Sequence, residues 1–206
     1  MRKLIVGGCP AIVKLQQGTQ GIGTMIAETP QAVASLLETL WAMGQDIVLQ
    51  EYIRESKGRD IRAIVIGGRV IASMRRVAKP GEFRSNLHRG AKGNGVRKLP
   101  ASYRSAAVRA TEVMGLEIAG VDMLEGKDGP KILEINSSPG LEGIERTSGI
   151  DVAGAIVAHA ERFLRRRLQR KKNALRDGRK VKVKDPVMEH ERRGRRLRGR
   201  DAARQP

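Results

Sequence analysis

The sequence predicts an α+β fold, and three observations carry that prediction. Short apolar runs come mostly in neighbouring pairs separated by glycine turns, as hairpin strands do. Segments with apolar residues at helical spacing lie between those pairs. A strand–helix–strand alternation of the kind that builds a doubly wound parallel sheet is not the dominant pattern.

Residues 11–15 form the first predicted strand. A polar, glycine-rich segment (16–23) and a second apolar run (24–27) complete a hairpin. Thr29 is placed to cap a helix, with Pro30 at its first position, where the missing N–H costs nothing. Val33, Leu36, Leu37 and Leu40 recur at helical spacing, and the helix should end near Met43-Gly44. Residues 47–53 read as a buried strand running into a polar segment. Residues 61–66 and 69–74 read as strands joined at Gly67-Gly68. Residues 78–98 lack periodicity and contain Pro80, Gly81, Gly90, Gly93 and Gly95, so a long loop is expected there, and such loops are often functional. A helix over 102–114 precedes a hairpin of 119–124 and 131–135. A loop then leads to a helix from about Asp151, with Val152, Ile156, Val157, Ala160, Phe163 and Leu164 on one face. That helix runs into Arg165-Arg166-Arg167. Beyond about Lys172 low apolar content and high charge predict disorder.

The 206 residues suit one domain, or one domain with a tail. Lys and Arg number 40 against 22 Asp and Glu, a formal net charge of +18. The charge is unevenly placed: residues 162–206 hold 19 basic and 5 acidic residues, a net of +14, and residues 1–161 hold 21 and 17, a net of +4. A nearly balanced globular part, 1–165, is therefore followed by a basic tail, 166–206. No apolar run is long enough to span a membrane, and the N-terminal apolar stretch is too short for a signal peptide. Cys9 is the only cysteine, which excludes disulfide frameworks and cysteine zinc sites and makes a cytoplasmic setting the default. The five aromatic residues are scattered, so a base-stacking platform is not expected.

Asp122, Glu134 and Asn136 form the sharpest cluster. Glu134 and Asn136 are two apart on a strand and share a face. Asp122, on the preceding strand, comes close to opposite them if the hairpin closes. Oxygen ligands without His or Cys suit a hard cation such as magnesium, which commonly shares its shell with substrate phosphates. The alternative is an exposed polar strand face. However, Asp122 and Glu134 lie inside apolar runs, where an unpaired carboxylate is costly. The glycines of 18–23 offer backbone N–H groups to phosphate or simply form a hairpin tip. No P-loop or dinucleotide fingerprint is present. Lys14 either faces outward on its strand or presents a point charge to phosphates. Arg84 and Arg89, with Arg75 and Arg76 upstream, have the fork geometry for phosphate and carboxylate oxygens, although solvated charge is the alternative for each.

Taken together, these stretches resemble the ATP-grasp superfamily, and specifically the RimK-type alpha-L-glutamate ligases. They are Val13-Lys14-Leu15 before Gly18-Thr19-Gln20-Gly21-Ile22-Gly23, then Gln50-Glu51-Tyr52-Ile53, Asp60-Ile61-Arg62, Phe83-Arg84-Ser85-Asn86-Leu87-His88-Arg89-Gly90, Gly120-Val121-Asp122 and Glu134-Ile135-Asn136-Ser137-Ser138-Pro139-Gly140-Leu141-Glu142-Gly143-Ile144-Glu145. They follow the family's order over about residues 5–165.

The resemblance implies an ATP-grasp fold, with ATP between two sheet-and-helix lobes. It implies Lys14, Gly21 and Gly23 at the phosphates, Glu51 and Tyr52 at the adenine, and Asp60 at the ribose. Arg84, Ser85 and Asn86 would lie along the phosphates, with Arg84 and Arg89 as catalytic residues. Asp122, Glu134 and Asn136 would hold two magnesium or manganese ions, Glu134 bridging. The implied reaction activates a carboxylate as an acyl phosphate, which the amine of L-glutamate attacks. The implied acceptor is a protein or peptide C-terminus, with a small-subunit ribosomal protein in the family's substrate class. The sequence departs from the family in two respects. It begins well inside the ATP-grasp region, so the N-terminal domain and a second ATP-contacting lysine are expected to be missing. It also carries the basic tail, for which RNA contact is the functional reading. An RNA- or ribosome-binding module and an inactive truncated ligase are the alternatives. Whether the chain forms a homo-oligomer is left open.

Overall fold

A computed structural model of the chain describes residues 8–17, 21–87 and 90–176. Two antiparallel sheets organise them. Strands β1 (Ala11–Leu15), β2 (Thr24–Ala27) and β3 (Ile47–Glu51) form the smaller sheet in the order β2-β1-β3. Helix α1 (Pro30–Ala42) connects β2 to β3. Thr29 accepts a hydrogen bond from the Ala32 N–H at 3.1 Å, which satisfies one of the open donors at the helix start. Val33 buries the apolar stripe of α1 against Ala11, Val13 and Ala27.

A single 3-10 turn, Arg54–Ser56, leads into the larger sheet. Its strands are β4 (Arg59–Ile66), β5 (Arg69–Val77), β6 (Lys92–Gly95), β7 (Ile118–Gly126) and β8 (Gly129–Asn136), in the order β6-β5-β4-β7-β8. Side chains alternate between its faces. Ile61, Ala63, Val65, Val121 and Met123 pack under α2 (Ala101–Val113). Ile64, Ile66, Ala72 and Met74 point the other way, toward Ile144 of α3 (Glu142–Ser148) and Val152 of α4 (Val152–Arg176). The large sheet is thus covered on both faces, and its central strands are correspondingly apolar.

The expected hairpins and three of the four helices lie where the sequence puts them. Two elements were not foreseen. The long loop expected over 78–98 contains β6, paired with β5 from Met74–Gly95 to Val77–Lys92. Helix α3 lies in what was read as the connection to the last helix. The two misses share a cause. A Cβ on Gly95 would stand 2.3 Å from the Thr147 carbonyl oxygen, and one on Gly143 would stand 2.4 Å from Leu87 Cδ1. These glycines let α3 lie directly on the sheet edge, and glycine weakens every local signal for strand or helix. Helix α4 continues across 165/166 to Arg176, and the tail was expected to be helical at its start. The disorder expected beyond Lys172 concerns residues mostly outside the described ones. No described helix is long and apolar enough to cross a membrane.

Candidate functional site

The pairing register places charged residues directly opposite one another. Arg62 on β4 faces Asp122 on β7, and Asp122 faces Glu134 on β8. One step along, Asp60 on β4 faces Arg76 on β5. Asp122 is 1% exposed and Asp60 2%. Buried charges persist only when paired and hydrogen-bonded, and these are. Arg62 donates from Nε and Nη2 to the two oxygens of Asp122 at 2.7 and 2.6 Å. Arg76 donates to both oxygens of Asp60 and, at 2.8 Å, to Oδ2 of Asp122. Among the described residues no buried polar side-chain atom lacks a partner.

The protonation equilibria follow from this network. Burial alone would raise the Asp122 carboxyl, but the Arg62 hydrogen bonds and the charges of Arg76 and Arg62 hold it below its ordinary value. Burial pushes the Asp60 carboxyl up, against the opposing pull of Arg76. Burial would likewise lower the Arg76 guanidinium, and the two carboxylates more than offset it.

The second strand-pair feature is the donor set itself. Glu134 is half exposed, and Asn136 Nδ2 donates to its Oε1 at 3.2 Å. Arg62 Nη2 lies 4.0 Å from the same oxygen. Asp122, Glu134 and Asn136 therefore share one face as expected, with a guanidinium reaching between the two carboxylates. Among the described residues no three His, Cys, Asp or Glu side chains cluster closely enough to hold a metal by themselves. The two carboxylates and one amide supply only hard oxygen donors, which fits magnesium in type and in strand register.

Lys14, on the other sheet, lies within electrostatic reach of these carboxylates. It sits on β1 between Thr24 of β2 and Val48 of β3. Burial lowers its amine, and the charges of Glu134 and Asp122 pull the other way. A lysine of the small sheet thus feels the carboxylates of the large one. The glycine turn adds a second bridge between the sheets. Arg84 Nη1 donates to the Gly21 carbonyl at 3.3 Å, and a Cβ on Gly21 would stand 2.6 Å from Asn86 Oδ1. Gly21 has φ +78°, as does Gly23 within a degree, at +77°. Glu82 aims Arg84, accepting from its backbone N–H at 3.0 Å and from Nε and Nη2 at 2.9 Å each.

Ser85 is buried near Asp60 and is the least of the influences that pull its carboxyl down. Asp60 itself is turned into the ion-pair network rather than outward. Glu51 and Tyr52 lie at the crossing from the small sheet to the large one, Glu51 exposed at the end of β3. Arg89, with His88 and residues 18–20, lies outside the described residues. From the sequence, Arg76 stood out only as one of several arginines suited to phosphate or carboxylate oxygens, and Arg62 only within the Asp60-Ile61-Arg62 stretch. The signal was there: each is a charge inside an apolar strand, the same reason Asp122 stood out.

Residues 3–160 match the RimK-like ATP-grasp domain. The chain belongs to that family. A probable alpha-L-glutamate ligase of Picosynechococcus sp. is 55% identical over 157 residues, which are 76% of this chain and 52% of the relative. One from Pseudomonas putida is 53% identical over 158 residues, 77% and 52% respectively. The chain spans about half the length of the curated relatives it matches. The ATP-grasp ligase PsnB, solved with a phosphomimetic variant of its minimal precursor, Mg and ADP, has a TM-score of 0.55 at 27% identity, covering 72% of this chain and 44% of that one. The D-alanine–D-alanine ligase of Bacillus anthracis shares the fold with a TM-score of 0.56 at 21% identity, covering 78% and 57%. The α+β architecture described above is thus the ATP-grasp fold.

Proposed function

We propose that this RimK-like chain is the nucleotide- and metal-binding part of an ATP-dependent ligase that joins L-glutamate to a protein or peptide carboxylate. One convergence supports the reading most. Lys14 from the small sheet stands within the field of Asp122 and Glu134, and the glycine turn rests on Arg84 and Asn86. Glutamate as the donor amine is supported by the relatives' name, and magnesium with adenine nucleotide by PsnB.

ATP is a substrate in this reaction. An oxygen of the acceptor carboxylate attacks the γ-phosphorus, the bond to the ADP oxygen breaks, and an acyl phosphate forms. The glutamate nitrogen then attacks the acyl carbon, phosphate leaves with the bonding pair, and the amine gives its proton to solvent. Such chemistry asks the protein for positioning and charge rather than a nucleophile. Lys14 and Arg84 would balance phosphate charge from two sides, and the Gly21 and Gly23 backbone would close over it. Arg62 grips Asp122 with two hydrogen bonds and so fixes the position of that carboxylate. Asp122, Glu134 and Asn136 would hold magnesium or manganese, which when bound neutralises charge on the phosphates.

The finer assignments belong to the same proposal: two metal ions with Glu134 bridging, a ribosomal protein of the small subunit as acceptor, a cytoplasmic setting, and residues 1–165 as the ATP-grasp domain. The test is ADP release from ATP, magnesium and an acceptor peptide, with and without L-glutamate. The chain is assayed alone and mixed with the N-terminal part of the Pseudomonas putida relative. Glutamate-dependent release in at least one mixture is expected, together with acceptor mass increasing by whole glutamyl units. Release in neither would overturn the ligase reading.

A further inference from the structure

Strand β4 runs from the candidate site to the opposite end of the large sheet. Arg62 and Gly67 are five residues apart, about 17 Å along a strand. At that far end α4 passes close over the β4–β5 turn. A Cβ on Gly67 would stand 2.5 Å from His159 Cε1, and His159 meets Glu117 at 3.1 Å. Past His159 the helix leaves the sheet behind, and residues 161–173 are exposed throughout. Residues 162–176 contain eight Arg or Lys and no Asp or Glu. At 1.5 Å per residue this is about 22 Å of cationic helix. Arg162, Arg165, Arg166, Arg167, Arg170 and Lys171 recur on most of its circumference, leaving a narrow strip through Val157, Leu164 and Leu168.

The other face of the sheet is also basic at this end. The β4–β5 turn and α2 frame an open cleft of about 480 Å³, lined by Arg69, Arg104, Arg109 and Glu112 among others. The adjoining groove shares Val70 and Arg104 and adds Arg97 and Lys98. All five cations are exposed, and among the described residues none of them forms an ion pair. Arg104 donates to the Leu99 carbonyl at 2.8 Å, which anchors it at the cleft.

We propose that this end of the molecule, α4 beyond His159 together with the arginine cleft, docks the phosphate backbone of duplex RNA. The inference is independent of the ligase reading. A flat lipid surface or an extended acidic peptide meets one side of a helix. The deep, narrow major groove of A-form RNA brings its two phosphate rows close together. A helix with side chains, about 10–12 Å across, is too wide to enter it, but one cationic on most of its circumference lies along its mouth with cations toward both rows. Arginine predominates in the helix and the cleft, and its fork matches phosphate oxygens. Phe163 is exposed among the cations of α4, but a single ring does not offer the succession of platforms that single-strand stacking needs.

The test uses the full 206-residue chain and fluorescence anisotropy with a labelled RNA hairpin. Three triple variants have equal net charge. The helix set is R166E, R170E and K171E. The cleft set is R69E, R104E and R109E. The control set is R54E, K57E and K127E, all exposed and remote from this end. Thermal melting confirms folding, and Arg→Gln replacements at the same positions are read where a set fails to fold. The helix and cleft sets are each expected to lose about tenfold or more in affinity and to flatten the salt dependence, whereas the control loses about threefold or less. Four results would overturn the proposal. One is equal losses in all three sets. Another is wild-type affinity in both the helix and cleft sets. The others are equally tight binding of a DNA hairpin or of poly-L-glutamate, and no RNA binding by the parent chain.

Discussion

Asp122 and Glu134 stand opposite each other on neighbouring strands, and their surroundings give them different tasks. Asp122 is buried and held by two arginines; Glu134 is about half exposed, at 49% for its side chain. Replacing Asp122 by Asn leaves Arg62 and Arg76 short of a buried counter-charge, and should cost about 3–5 kcal/mol at neutral pH. Glu134→Gln should leave the denaturation midpoint nearly unchanged while removing metal-dependent nucleotide binding. Chemical denaturation of the two variants separates the roles, and equal losses of stability would contradict them. The pH dependence has a definite sign. Because the folded Asp122 carboxyl lies below its ordinary 3.8, its contribution is present above that pH and is lost as pH falls through the lowered value. The gap between wild type and Asp122→Asn should therefore narrow on acidification. Asp60 shifts upward and acts in the opposite direction, so it softens the acid sensitivity of the wild type.

Lys14 makes a separate prediction. Its amine lies below the ordinary 10.5 because burial disfavours the charged form. The pH profile of its acylation, followed by peptide mass spectrometry, should inflect below 10.5. A magnesium–nucleotide analogue should move the inflection upward and protect the residue. An inflection at or above 10.5 in the free protein would remove Lys14 from the site.

Among the secondary elements, the β1–β2 hairpin and the β6–α3 contact depend most on glycine. Gly21 has a left-handed φ and lies against Asn86, so Gly21→Ala should weaken nucleotide-analogue binding and cost about 1–2 kcal/mol of stability. A Cβ on Gly95 would meet the Thr147 backbone instead. Gly95→Ala should cost about 1–3 kcal/mol from overpacking and leave analogue binding intact, as urea titration and binding on the same samples would show. These same positions explain what could be read in advance. The hairpins at Gly67-Gly68 and 126–130, and the α1 cap at Thr29, follow from local chemistry and were readable. Strand β6 and helix α3 are stabilised by tertiary packing at glycines, Gly95 against the Thr147 backbone and Gly143 against the Leu87 side chain, which leaves no periodicity in the sequence.

Over the whole molecule, Lys14 of the small sheet lies within electrostatic reach of Asp122 and Glu134 of the large one, more than 100 residues later in the chain. The face-sharing of Glu134 and Asn136 followed from strand alternation alone. The burial of Asp60, and the grip of Arg62 and Arg76 on the carboxylates, required the strand order β5-β4-β7-β8, which no local pattern encodes. The charge asymmetry was plain from composition, but the placement of its described part was not: α4 carries the eight cations of residues 162–176 to the sheet end farthest from the candidate site. The central claim is that this chain itself holds a metal–nucleotide site between its sheets. Calorimetric titration of the purified chain with magnesium and a non-hydrolysable ATP analogue tests it most directly, with Glu134→Gln as the folded control. Binding by the wild type that is lost in the variant is the result expected. A folded wild-type chain that binds no analogue, or a variant that binds as tightly as the wild type, would contradict it.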